Sequence, residues 1–171
     1  DKTFSRQIGQ LVNLSNLVDN WLFFQAIGGF DNSNKNVYYA ARNENGDYRG
    51  YFIPWDLNIS FGAVYADNKY YAEETLEETG TQVQFEPGCR AIALDADHAR
   101  ALAKEKWEDW KEKAFTAEAL LERAQHLQQE LTGSGAMARE MERWPGGNAS
   151  TDLSLLTEFT KQRMAYMDSM I

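Results

Sequence analysis

Residues Gly28 to Gly62 read GGFDNSNKNVYYAARNENGDYRGYFIPWDLNISFG. Two aromatic, β-prone runs, VYYAAR and YRGYFIP, flank the turn-rich NENGD, and Asn45-Gly46 supplies the turn signal. The pattern predicts a β-hairpin. Pro54 stops its second strand, so WDLNISFG follows as an irregular loop. Asp31 and Asn36 lie before the hairpin and Asp56 lies directly after it. Paired strands bring their entry and exit ends side by side, which predicts that Asn36 and Asp56 come close together in an oxygen-rich pocket.

Working outward, NLSNLVDNWLFFQAIGG carries Leu14, Leu17, Val18, Trp21, Leu22 and Ile27 at helical spacing. Asn13 or Ser15 can cap its start, and Gly28 or Gly29 can end it. This is a buried helix leading into the Asp31 loop. Beyond the hairpin, Ala63 to Leu94 shows no sustained period and is read as a long surface connection, with Glu73, Glu74, Glu77 and Glu78 as a solvated face. The remainder is helical. DADHARALAKEKWEDWKEKAF opens with capping aspartates; a second helix starts at Thr116, with Leu120, Leu121, Ala124, Leu127 and Leu131 on one stripe until GSG breaks it. AMAREMERW forms a third. TDLSLLTEFTKQRMAYMDSMI forms a fourth from a Ser150 or Thr151 cap, turning Leu153, Leu156, Thr160, Met164, Met167 and Ile171 inward; a Met stripe of this kind is core.

Composition narrows the function. The 171 residues are 43% hydrophobic and 13% aromatic, enough to bury one sizeable core. With 26 acidic against 17 basic residues, the formal net charge is −9 and no basic block is present. Attraction to nucleic-acid phosphates or anionic lipid is not expected. The single Cys89 excludes an internal disulfide framework and a Cys-rich zinc site, and His98 and His126 lack metal-ligand spacing. No apolar run approaches the roughly 20 residues of a membrane span, and DKTFSRQIGQ has no signal-peptide core, so any export signal would lie outside this chain.

There is no Gly-x-Ser-x-Gly, no phosphate loop ending in Gly-Lys-Ser/Thr and no Gly-x-Gly-x-x-Gly. Carboxylate and amide chemistry remains. Hard divalent ions take oxygen ligands, commonly one or two carboxylates plus substrate phosphates, which suits Asn36 and Asp56. Asp31 is then left to orient or deprotonate a hydroxyl. An Asp, an Asn five positions later, a hairpin and a metal-binding Asp occur in that order in protein kinases.

The residues resemble a narrower family. LVDNWLFFQAIGGFDNSNKNVYYAARNENGDYRGYFIPWDLNISFG is similar to the spore-coat protein H (CotH) kinase family, with its Gly/Asn-x-Asp-Asn-x-x-Lys-Asn loop, aromatic hairpin and Pro-Trp-Asp-x-Asp-x-x-Phe/Trp-Gly segment. REMERW and KQRMAYM resemble that family's C-terminal region. The resemblance implies an α+β fold: a mainly helical C-terminal lobe of an atypical protein-kinase-like fold, spanning 1–171, whose β-hairpin carries the catalytic loops. It also implies that the lobe supplying the phosphate-binding loop and ATP-anchoring Lys lies upstream, leaving this piece alone inactive.

The implied activity is transfer of the ATP γ-phosphate, with Mg²⁺ or Mn²⁺, to Ser or Thr of coat or other surface proteins. The implied location is extracellular, cell-surface or spore-coat. Carried over by position, Asp31 takes the catalytic place, Asn36 that of the second metal ligand and Asp56 that of the principal one. Lys35 beside them can neutralise a phosphoryl oxygen. Asn58 stands where the family has its second acid, which removes a negative charge beside the proposed metal site.

Simpler roles compete. Asp31 can form an Asx-turn and Asp56 can accept backbone N–H groups; Asn36 and Asp56 following in order favour catalysis for Asp31. Trp55 is expected in the core, and Tyr38, Tyr39, Tyr51 and Phe52 are expected to pack within the hairpin. The sequons at Asn13, Asn58 and Asn148 are too common to show glycosylation. The competing class is a kinase-like module without activity that serves in coat or surface assembly, as Asn58 allows. A third reading is carbohydrate binding through YADNKYY.

Overall fold

The computed structural model describes residues 1–32, 35–63, 72–73, 86–147 and 150–171. Glu74, Glu77, Glu78, the YADNKYY stretch from Tyr65 and the sequon Asn148 lie outside them. The fold is α+β, mostly helical, with one two-stranded antiparallel sheet among the described residues.

Helix α1 spans Lys2–Leu11 and α2 spans Leu14–Ile27. The first was not anticipated, although Phe4, Ile8 and Leu11 stand at helical spacing in it; of its ten residues only Ile8 is buried. Asn13 caps α2 by accepting the Asn16 N–H at 2.9 Å, and Gly28 ends it in the left-handed conformation (φ 62°, ψ 45°), where a side chain is strained. Both ends agree with the sequence reading.

The hairpin pairs β1 (Val37–Glu44) with β2 (Asp47–Pro54), in register from Val37 opposite Pro54 to Glu44 opposite Asp47. Asn45 and Gly46 make the turn at φ 56° and 103°, the positive values that a two-residue loop requires. A lone hairpin is marginal in water, and this one is bolted to α2. Asn16 accepts the Phe52 N–H at 2.7 Å and donates to the Phe52 carbonyl at 3.2 Å; Asn20 donates to the same carbonyl at 3.1 Å.

Helix α3 is Pro87–Ala93, α4 is Ala99–Lys113, α5 is Ala117–Gly133, α6 is Ala136–Arg143 and α7 is Ser154–Met170. Helix α3 falls in a region read as connection. Its seven residues are too short for a period, and its start rests on Pro87 and on Glu86 accepting the Cys89 N–H. Asp95 accepts the Arg100 N–H at 3.0 Å and so caps α4, but from a left-handed turn through Asp97 and His98. Thr116 caps α5 as expected. Helix α7 begins later than expected because Ser150 and Asp152 accept the N–H groups of Asp152 and Ser154 in a turn of their own.

Helix α2 is apolar on nearly every side, and such helices sit in the middle. Leu17, Val18, Leu22, Ala26 and Ile27 are buried, packed against α3, α4, β2 and α7. Ala91, Ala99, Ala103, Trp107, Met164 and Met167 complete this core. The methionine stripe of α7 is therefore largely core. The leucine stripe of α5 is not: none of its residues is fully buried, and Leu127 and Leu131 line a groove with Met137 and Leu156 instead.

Candidate functional site

Helix α2 ends at Gly28, and the chain turns at once into Phe30–Asn32, so Asp31 is launched from the most buried helix of the protein. Its side chain is only 10% exposed. Asn36 donates from Nδ2 to Asp31 Oδ2 at 2.8 Å, and the Lys35 ammonium lies 3.1 Å from Asp31 Oδ1. Both carboxylate oxygens thus engage side chains of their own loop. Lys35 itself is 61% exposed and can swing toward an anion.

At the hairpin's mouth the Trp55 N–H donates to the Asn36 carbonyl at 2.8 Å. This bond extends the strand pairing by one step beyond Val37 and Pro54, and Asp56 is the next residue. Asn36 and Asp56 both adopt positive φ, 59° and 50°. Left-handed backbone is unfavourable for residues with a Cβ but least so for Asn and Asp, and strained backbone of this kind gathers at functional sites. The loop from Trp55 then returns to the helix that launches Asp31. The Phe61 N–H donates to the Ile27 carbonyl at 2.7 Å, and the Phe61 ring meets Phe159 edge-on at 6.4 Å.

Asn32 is the residue that inspection of motifs overlooked. It is 1% exposed and donates from Nδ2 to the Asn36 carbonyl at 3.0 Å and to the Trp55 carbonyl at 2.7 Å. A buried amide beside a loop carboxylate, with both hairpin ends in reach, was the available signal. Trp55 corrects an expectation: it is 57% exposed rather than core, because β2 turns Phe52 toward α2 and leaves Trp55 beyond Pro54. It packs edge-on against the exposed Tyr38 at 5.2 Å. Tyr38 and Tyr39 are exposed, whereas Phe52 is buried against Tyr39's ring.

Asn58 is exposed in the same loop as Asp56, which is also exposed. The structure therefore brings Asp31, Lys35 and Asn36 into direct contact and sets the Asp56 backbone next to them. Among the described residues no group of three or more His, Cys, Asp or Glu could hold a metal by itself. The donor set still fits a divalent cation. With its Nδ2 turned to Asp31, Asn36 keeps an amide oxygen as acceptor, and the residue after Trp55, Asp56, carries an exposed carboxylate; such a sparse pair of oxygen donors suits an ion completed by phosphates and water.

A family model described as CotH kinase protein matches residues 1–167 of the chain. No curated protein and no solved structure matches it.

Proposed function

Because the chain belongs to the CotH kinase family, we propose that it is the C-terminal lobe of a protein kinase that transfers the ATP γ-phosphate to a Ser or Thr hydroxyl. The observation that carries this reading is the joining of Asp31 to Asn36, 2.8 Å apart, at the mouth of the hairpin that delivers Asp56. A kinase site needs one carboxylate for the acceptor hydroxyl and oxygen ligands for the phosphate-bound cation.

In this reading Asp31 accepts a hydrogen bond from the acceptor hydroxyl and takes its proton as the oxygen attacks the γ-phosphorus. The bond from that phosphorus to the β–γ bridging oxygen breaks, and ADP leaves with the electron pair. Asn36 holds the Asp31 carboxylate in its rotamer. Lys35, already in the field of that carboxylate, offsets charge on a phosphoryl oxygen. Asn36 and Asp56, with Asn58 beside them, would hold Mg²⁺ or Mn²⁺, which when bound neutralises phosphate charge. The exposed face of Trp55 next to these groups offers a surface on which an aromatic base could stack. The acceptor is a coat or other surface protein, and the site of action is the spore coat or cell exterior.

The test is phosphate incorporation by the full-length protein from labelled ATP with Mg²⁺ or Mn²⁺, beside Asp31→Ala and Asp56→Ala. We expect both variants to lose at least about 100-fold in transfer rate, the scale of a positioned acid–base group. The reading that competes is an assembly module without activity, and Asn58 is what favours it. Absence of both incorporation and metal-dependent ATP binding in the wild type would establish that module; restoring Asn58→Asp would then show whether one carboxylate is what it lacks.

A further inference from the structure

Asn32 makes an uneven set of bonds. Its amide has two N–H donors, and one goes to each lip of the hairpin mouth: the Asn36 carbonyl on the entry side and the Trp55 carbonyl on the exit side. Its Oδ1 is buried with no hydrogen-bond partner. The opposite amide orientation would set that oxygen against two carbonyl oxygens, so the bonds fix which atom is which. A buried carbonyl without a partner has lost its water and gained nothing in return, which is unfavourable. A residue retained only for packing would avoid this cost.

Its surroundings hold the amide in place. The Asn32 N–H donates to the Gly29 carbonyl at 3.0 Å, and a Cβ on Gly29 would stand 3.3 Å from Asn32 Oδ1. The chain thus passes tightly behind the amide, which leaves it facing the mouth. Asn32 is also covalently next to Asp31. One side chain therefore ties the Asp31 loop to Trp55, the residue immediately preceding Asp56, and to the backbone of Asn36.

We propose that Asn32 is the positioning residue of the site: its two N–H groups set the separation of Asn36 and Asp56, and so the geometry in which a divalent cation and its nucleotide are received. The inference rests on the kinase reading above. Asn32 touches neither cation nor substrate and acts through the two carbonyls. Residues that orient ligands in this way typically change metal affinity 10–100-fold when replaced.

The experiment measures Mg²⁺ dependence in the full-length protein for the wild type, Asn32→Ala, Asn32→Asp and Asn20→Ala. Asn32→Asp keeps the shape but turns oxygens toward both carbonyls. Asn20 is a matched control, a buried amide donating to the same hairpin at Phe52, away from the mouth. Both Asn32 variants should unfold cooperatively, and both should raise the Mg²⁺ concentration for half-maximal transfer, and for nucleotide binding, by about tenfold or more. Asn20→Ala should lower the thermal midpoint and leave the Mg²⁺ midpoint where it was.

An active wild type whose Asn32 variants keep its Mg²⁺ midpoint overturns the inference and leaves the kinase reading standing. So do Asn32 variants that no longer fold, which would make the residue a structural one. A wild type that neither transfers phosphate nor binds nucleotide with metal removes both.

Discussion

Single amides organise this protein, and Asn13 shows it at the other end of the hairpin. Its oxygen caps α2 while its Nδ2 donates at 3.0 Å to both Glu44 Oε1 and the Tyr51 hydroxyl. Tyr51 also donates to Glu44 Oε1. Glu44 is consequently held below the usual carboxylate value of 4.5, first by the Tyr51 hydroxyl and then by Asn13, and the Tyr51 phenol is raised by the same bond. A depressed carboxylate stabilises the fold above its unfolded pKa and loses that contribution as pH falls through its folded one. This tie is therefore complete above about pH 4.5 and fades below it. Tyr51→Phe removes the largest cause, so the Glu44 titration followed by NMR should move upward, toward its ordinary value; an unchanged midpoint would mean that the hydroxyl is not the partner.

Between elements, the tie that sequence patterning missed is Arg163. The KQRMAYM stretch places it beside the methionine stripe, and it is fully buried on α7. Nε donates to the Gln25 carbonyl at 2.6 Å, one terminal nitrogen to Gln25 Oε1 at 3.2 Å and the other to the Ala72 carbonyl at 3.2 Å. Gln25 lies in the last turn of α2, just ahead of the Asp31 loop. Arg163→Met would take the guanidinium donors away from these buried acceptors, with the Gly28 N–H still donating to the Gln25 carbonyl at 3.2 Å, and should destabilise the protein by about 3 kcal/mol. The check is urea unfolding: the midpoint should fall with little change in slope. A midpoint within error of the wild type would mean that water replaces the guanidinium. Trp107 makes a second link, donating to Asp168 at 2.9 Å, so α4 and α7 are joined by a polar bond as well as by packing.

Across the whole molecule, the core and the candidate site share α2. Leu22 is fully buried in that helix, and Leu22→Ala should cost about 2–5 kcal/mol, read as a lower thermal midpoint in a single transition; two separated transitions would show that the hairpin and helices unfold independently. Much of this plan was legible in the residues. Local rules wrote it: Asn13 and Gly28 bound α2, Asn45-Gly46 turns the hairpin, Pro54 ends it, and hairpin geometry sets the Asn36 and Asp56 backbones side by side. Such features depend on backbone preferences within a few residues, which composition and spacing carry directly. Other features depended on the packing of distant segments. Trp55 is exposed because α2 takes Phe52, the α5 leucines line a groove because no core element covers them fully, and Arg163 is buried because Gln25 and Ala72 offer it carbonyls. Sequence by itself determined helix α2, the hairpin and the helices from α4 onward, though not α1 or α3, and the order in which Asp31, Asn36 and Asp56 arrive. Tertiary structure alone decided which side chains are buried and that Asn32 spans the hairpin mouth, since burial and hydrogen-bond partners are fixed by residues far away in the chain.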